Sequence, residues 1–286
     1  MIQEIIDALW SRLLDIAKDL IGKTQDLSQE RNRRFFEHPD DPQEHAPEWH
    51  QWGILTHTKM FEKFYKEELL GYLIQWNVHE YVDRHLSEKI DGMNKKHLLL
   101  IAILLHDLGK FTTRRLIPTS DGSFKTSFRD HEAASGQIIR TPAFAQMLEQ
   151  EYGLSVLQIA YIARAAELHY ELGELRYAAR HSPQGYTIAF AHSQMFHNSA
   201  KRLMEKEYEG FEAEIGLLFL GDSLAKTDIR LLAKTDEEIA ASEQLIQELL
   251  EKRKLNPKLI NAVKQLPVNL AIAEAYLHMW IEKDSA

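Results

Sequence analysis

The chain has 286 residues, 44% of them hydrophobic, with 34 Lys+Arg against 43 Asp+Glu, 14 His and no Cys, for a formal net charge of −9. The absence of cysteine excludes disulfides and thiolate metal sites, so any metal must be held by His, Asp, Glu and water. The acidic balance argues against an extended nucleic-acid surface but leaves room for a local basic pocket, and the length suits one large core.

Helical period runs through most of the chain. Ile2, Ile5, Ile6, Leu9, Leu13, Ile16, Ala17 and Leu20 recur at three and four, predicting an opening amphipathic helix that ends near Gly22. Glu4, Asp7, Asp15 and Asp19 interrupt that segment and no cationic region precedes it, so it does not read as a signal peptide. No apolar run reaches membrane-spanning length, and the expectation is a cytoplasmic protein with no membrane partner. Pro39, Pro42 and Pro47 mark residues 35–53 as an irregular loop. Helical patterns return at about 54–74, 76–91, 95–109, 130–151, 154–171, 187–208, 212–226, 235–254 and 268–282. The segment Leu116–Phe128 instead predicts a small hairpin turning at Asp121-Gly122. The simplest organisation is a single all-α domain, residues 1–286, with a core at about 50–230. An N-terminal helix at about 1–22 and C-terminal helices at about 235–282 are additions to it.

One stretch carries the chemistry. Leu98 to Leu105 is apolar on every side, predicting a buried helix that delivers His106 and Asp107 directly from its end, with Lys110 one turn further on. A carboxylate there is costly unless neutralised, and a bound metal is the commonest reason to pair it with an imidazole. The dipeptide alone carries no weight, and its context must.

His57 lies on the stripe of Phe61, Phe64, Tyr65, Leu69, Tyr72 and Leu73, as a metal ligand or as a hydrogen-bonded core histidine. Asp222 follows the apolar run Leu217–Leu220, as a ligand or a capping residue. His131 opens RDHEAASG, where Ala133, Ala134, Ser135 and Gly136 let another backbone approach closely. His169 borders the apolar face of Ile159, Ile162, Ala163 and Ala166. The bland alternative for both is a surface histidine. Lys110 shares a helix face with His106 and Asp107 and is placed to meet a phosphate. Arg114 and Arg115 follow as further phosphate-binding candidates, with Lys125, Arg129 and Arg164 as weaker ones. His38, His45 and His50, in the proline-rich loop, carry no motif.

The order His57, His106-Asp107, Asp222 resembles the HD superfamily of metal-dependent phosphohydrolases. HDLGKFTT followed by SFRDHEAASG is especially similar to the HD domains of nucleotidyltransferase-associated phosphohydrolases, and the likeness spans about residues 50–230. It implies an all-helical HD-domain bundle around one or two divalent metals, with His57, His106, Asp107 and Asp222 as ligands. In binuclear members further histidines hold a second metal, a role for which His131 and His169 are placed. The GYP signature is absent, which gives no support to cyclic-di-GMP specificity. Imidazoles with carboxylates suit Mn, Fe, Co, Ni or Zn, and Mg less well.

The implied activity is hydrolysis of a phosphoester, a nucleotide or related small anionic molecule, by metal-activated water. Asp107 and Lys110 are its catalytic residues, with Lys110, Arg114 and Arg115 on the phosphate. Two alternatives accompany it: an HD-fold di-iron oxygenase using the same His and Asp set, and a non-catalytic nucleotide-binding regulatory module.

Overall fold

Leu98 to Leu105 form the body of the helix Lys95–Leu105, and each of these side chains is buried. Each large aliphatic group removed from water contributes about 1.5–3 kcal/mol, so this helix anchors the elements packed around it. The computed structural model describes residues 2–120, 124–206, 208 and 210–284. The fold is all-α, with two small two-stranded antiparallel sheets. The chain divides into two compact units, Met1–Glu62 with Leu86–Leu168, and Lys63–His85 with His169–Ala286.

In the first unit, the helix Lys95–Leu105 packs against the helices Ile2–Thr24 and Val156–Leu168. The helix His131–Arg140 lies along Val156–Leu168. Gly136 permits that approach, because a Cβ there would meet Glu167 Cβ at 2.9 Å and the Ala163 carbonyl oxygen at 3.0 Å. The opening helix buries Ile5, Ile6, Leu9, Leu13 and Ala17 of the predicted stripe and adds Ile21, while Ile2, Ile16 and Leu20 are half-buried.

The hairpin pairs Arg115–Pro118 with Phe124–Ser127, as expected, while its predicted turn at Asp121-Gly122 lies outside the described residues. A second hairpin, Lys89–Ile90 with Met93–Asn94, replaces the end of the helix expected at 76–91. Its two-residue loop is Asp91-Gly92, with φ of 47° and 87°, the left-handed pair that a tight hairpin turn requires. The helix expected over 130–151 is two helices, broken at Thr141 before Pro142, which starts the second at a position where its missing N–H is harmless. The proline-rich stretch is irregular apart from one turn of 3-10 helix, Pro42–Glu44, and the short helix Glu30–Glu37 that leads into it.

In the second unit, every residue of the helix Glu212–Ala225 is buried. It packs on the helix Ile260–Asp284, which runs through Pro267 rather than starting after it. Ile246, Leu250, Leu259, Val263 and Ile229 form a smaller apolar cluster. Among the described residues, no helix is long and apolar enough to cross a membrane.

Candidate metal centre

After Leu105 the chain tightens. Leu108, Lys110, Phe111 and Thr112 donate to carbonyls three residues back rather than four, a local 3-10 winding of the kind found at functional bends. This turn carries His106, Asp107 and Lys110 on one short arc. Gly109 lies at its centre, and a Cβ there would sit 2.0 Å from the His131 carbonyl oxygen and 2.8 Å from Ser135 N. The Gly109 N–H donates to Ser135 Oγ at 2.8 Å. The small residues after His131 thus receive the HDLGK turn itself. Asp130, immediately before His131, holds φ 63°, a left-handed conformation that aspartate tolerates better than most residues.

Asp107, 2% exposed, is the centre of the site. Its Oδ2 lies 3.2 Å from His106 Nε2, 3.7 Å from His57 Nε2 and 2.7 Å from Lys110 Nζ. Its Oδ1 faces the other way, 3.4 Å from His131 Nε2. Burial opposes ionisation of Asp107, but His106 and Lys110 outweigh it and hold the carboxyl well below the usual carboxylate range.

The histidine tautomers follow from their partners. His106 Nδ1 lies 2.7 Å from the Ile103 carbonyl and His131 Nδ1 lies 2.8 Å from the Phe128 carbonyl. A carbonyl only accepts, so both rings carry hydrogen on Nδ1 and present Nε2 to Asp107, the ring orientation common to metal-binding imidazoles. His57, His106 and Asp107 each offer a ligand atom, all within 4.8 Å of one another, a group that can hold a metal ion. Two imidazoles with one carboxylate suit a borderline divalent cation, and the donor set fits.

Two residues without a sequence motif line this site. His45 is fully buried, its Nε2 is 2.9 Å from Lys110 Nζ, and it stacks on His50 with ring centroids 3.9 Å apart. His50 in turn packs edge-on to His57 at 4.8 Å. Only the folded course of the proline-rich segment brings these rings to the His-Asp turn. No local periodicity could have marked them.

The predicted phosphate-binding residues separate. Lys110 is buried between Asp107 and His45. Arg114, offered by the sequence as a phosphate ligand, is buried instead in an ion pair with Glu44 and donates to Asn32 Oδ1 at 3.1 Å. Its guanidinium lies 4.6 Å from the Phe35 ring centre. These contacts make it an anchor for the N-terminal segment. Arg115 is exposed on its strand. Lys125 lies near Glu48, and Arg164 pairs with Glu167.

His169 and Asp222 belong to the second unit. His169 follows directly on the helix Val156–Leu168 and is 1% exposed, so it is not a surface histidine. Asp222 is buried within the helix Glu212–Ala225, not at its start, with Lys226 Nζ 3.0 Å from its Oδ2. That position gives no support to a capping role.

Comparison with curated proteins and with solved structures returned no match. Residues 81–191 match the family model of the HD domain, a range that holds His106, Asp107, Lys110, His131 and His169 and leaves His57 and Asp222 outside. The match, the helical architecture and a His/Asp group that can hold a divalent metal agree with one another. The chain thus carries an HD domain, the domain of the HD superfamily of metal-dependent phosphohydrolases.

Proposed function

We propose that this protein is a phosphohydrolase acting on a nucleotide or a similar small phosphoester. The observation that carries the reading is the division of Asp107: Oδ2 faces His57 and His106 while Oδ1 faces His131. A carboxylate with imidazole Nε2 atoms facing both oxygens is suited to hold more than one cation. In this reading His57, His106 and Asp107 would hold one ion, and Asp107 and His131 would stand at a second. Bound divalent ions supply activated water and neutralise phosphoryl charge.

The chain's own residues do the rest. The Ile103 and Phe128 carbonyls accept from Nδ1 of His106 and His131 and so fix each ring with Nε2 facing Asp107. Lys110 supplies a fixed ammonium for the phosphoryl oxygens, which supports an anionic substrate in a chain of net charge −9.

The test is phosphate release from nucleotides, cyclic nucleotides and generic phosphoesters with Mn, Co, Ni and Mg, against Asp107→Ala. Release that disappears in the variant supports the reading, and release that persists overturns it. Iron-dependent oxygen uptake without phosphate release would favour the di-iron oxygenase.

A further inference from the structure

We propose that His45, from the proline-rich segment ahead of the HD domain, is a positioning residue that holds the Lys110 ammonium beside Asp107 by accepting its hydrogen bond. The inference rests on reading Asp107 as a metal ligand.

The first step is donor and acceptor arithmetic. His45 Nδ1 lies 2.9 Å from the Trp52 carbonyl, which can only accept, so the ring hydrogen is on Nδ1. A neutral imidazole has one ring hydrogen, which leaves Nε2 as an acceptor. Lys110 Nζ, which can only donate, sits 2.9 Å from it.

The second step is competition at Asp107. Lys110 Nζ lies 2.7 Å from Oδ2, the same oxygen that faces His57 and His106. Two cations sharing one buried oxygen repel strongly, because little water screens them. A lysine whose sole acceptor is that oxygen must give up a hydrogen bond whenever a metal takes it. His45 supplies a second acceptor in the same pocket, so the ammonium stays paired and in place.

The third step is rigidity, since an acceptor on a loose loop would position nothing. Asp40 accepts from Thr56 N at 2.9 Å and Thr56 Oγ1 at 2.6 Å, tying the segment to the start of the His57 helix. Gly53 lies so close to Asp40 that a Cβ would sit 2.0 Å from the Asp40 carbonyl oxygen. Glu44, next to His45, is paired with buried Arg114. His45 also packs edge-on to Phe128, 6.0 Å between centroids, the residue whose carbonyl accepts from His131 Nδ1.

The experiment is Co²⁺ titration by calorimetry of the metal-free full-length protein, with His45→Gln, His45→Leu, Lys110→Met and the His45→Leu/Lys110→Met double variant. Circular dichroism confirms that each is folded. Gln keeps an acceptor near the Nε2 position and Leu removes it. We expect His45→Leu to weaken Co²⁺ binding about tenfold, the lower end of the effect of removing a group that orients a metal site. His45→Gln should recover most of that loss, and in the Lys110→Met background His45→Leu should change nothing.

Equal losses in Leu and Gln, an undiminished loss in the Lys110→Met background, or no loss in His45→Leu would each overturn the proposal. The readout is independent of turnover. The affinity pattern without phosphate release would leave the positioning role standing and remove the phosphohydrolase reading, whereas release without the pattern would do the reverse.

Discussion

Gly109 lies against the backbone of His131, so close that a side-chain carbon on it would stand 2.0 Å from the His131 carbonyl oxygen. The glycine of HDLGK is therefore a packing requirement, and what it packs against is the residue facing Asp107 Oδ1. Gly109→Ala should force these two segments apart and cost about 1–3 kcal/mol, the usual range for overpacking. Chemical denaturation measures the loss. Metal titration of the same variant should show a larger deficit at the His131 side than Ser135→Ala, which removes only the 2.8 Å bond to Gly109 N.

Asp107 and Lys110 form a buried pair at 2.7 Å with side chains 2% and 6% exposed. Removing either alone leaves an uncompensated interior charge, a change that typically costs about 3–5 kcal/mol. Asp107→Asn and Lys110→Met should each destabilise the metal-free protein by that order, and the double variant by less than their sum. Urea unfolding of the four proteins as a cycle tests this, and strict additivity would refute the coupling.

Arg114→Met should lower stability by about 3 kcal/mol, the low end for a broken buried pair, because Glu44 would keep only the more exposed Arg34 at 4.0 Å. It should leave the substrate KM little changed. Steady-state kinetics beside a melting curve separates this anchoring role from direct phosphate binding, which would raise KM instead.

Asp41 caps the turn Pro42–Glu44 through Gln43 N at 2.9 Å and bonds Arg34 at 2.7 Å. Burial tends to raise its pKa, but the Gln43 N–H and the Arg34 guanidinium outweigh that and hold it below the ordinary value of 3.8. A carboxyl depressed in the folded state adds stability above its unfolded pKa, and that contribution fades as pH falls through the lower folded value. Asp41→Ala should cost about 1 kcal/mol at neutral pH. The stability difference from the native protein should shrink as pH falls below the ordinary carboxylate range.

Metal binding itself should be visible as stability. An ion that binds only the folded chain at about a hundred times its Kd adds about 2.7 kcal/mol. Co²⁺ or Mn²⁺ should raise Tm, a chelator should reverse the rise, and Asp107→Ala should abolish it. Scanning calorimetry gives all three.

The sequence by itself determined the elements whose causes are local. Leu98–Leu105, an octet apolar on every side, had to be buried, and it is a buried helix. The three-and-four spacing of the opening segment sets the face it buries. Small residues after His131 announced a close backbone approach, and Gly109 is what approaches. His106, Asp107 and Lys110 were legible because they are separated by a single turn. Boundaries read less well: the Asp91-Gly92 hairpin lay hidden in an apparent helical period, and the final helix carries Pro267 through its interior.

Tertiary structure alone decided which distant groups surround Asp107. His45 and His50 sit in a proline-rich stretch without periodicity, and their nearness to Lys110 and His57 comes from the path of that stretch over the His-Asp turn. Arg114 and Lys110 look alike in sequence, two cations after one motif. Glu44 and Asn32 claim the first, while Asp107 and His45 hold the second. A side chain's reach is local, whereas its partners come from anywhere in the chain, and the partners determine whether a buried charge serves packing or chemistry.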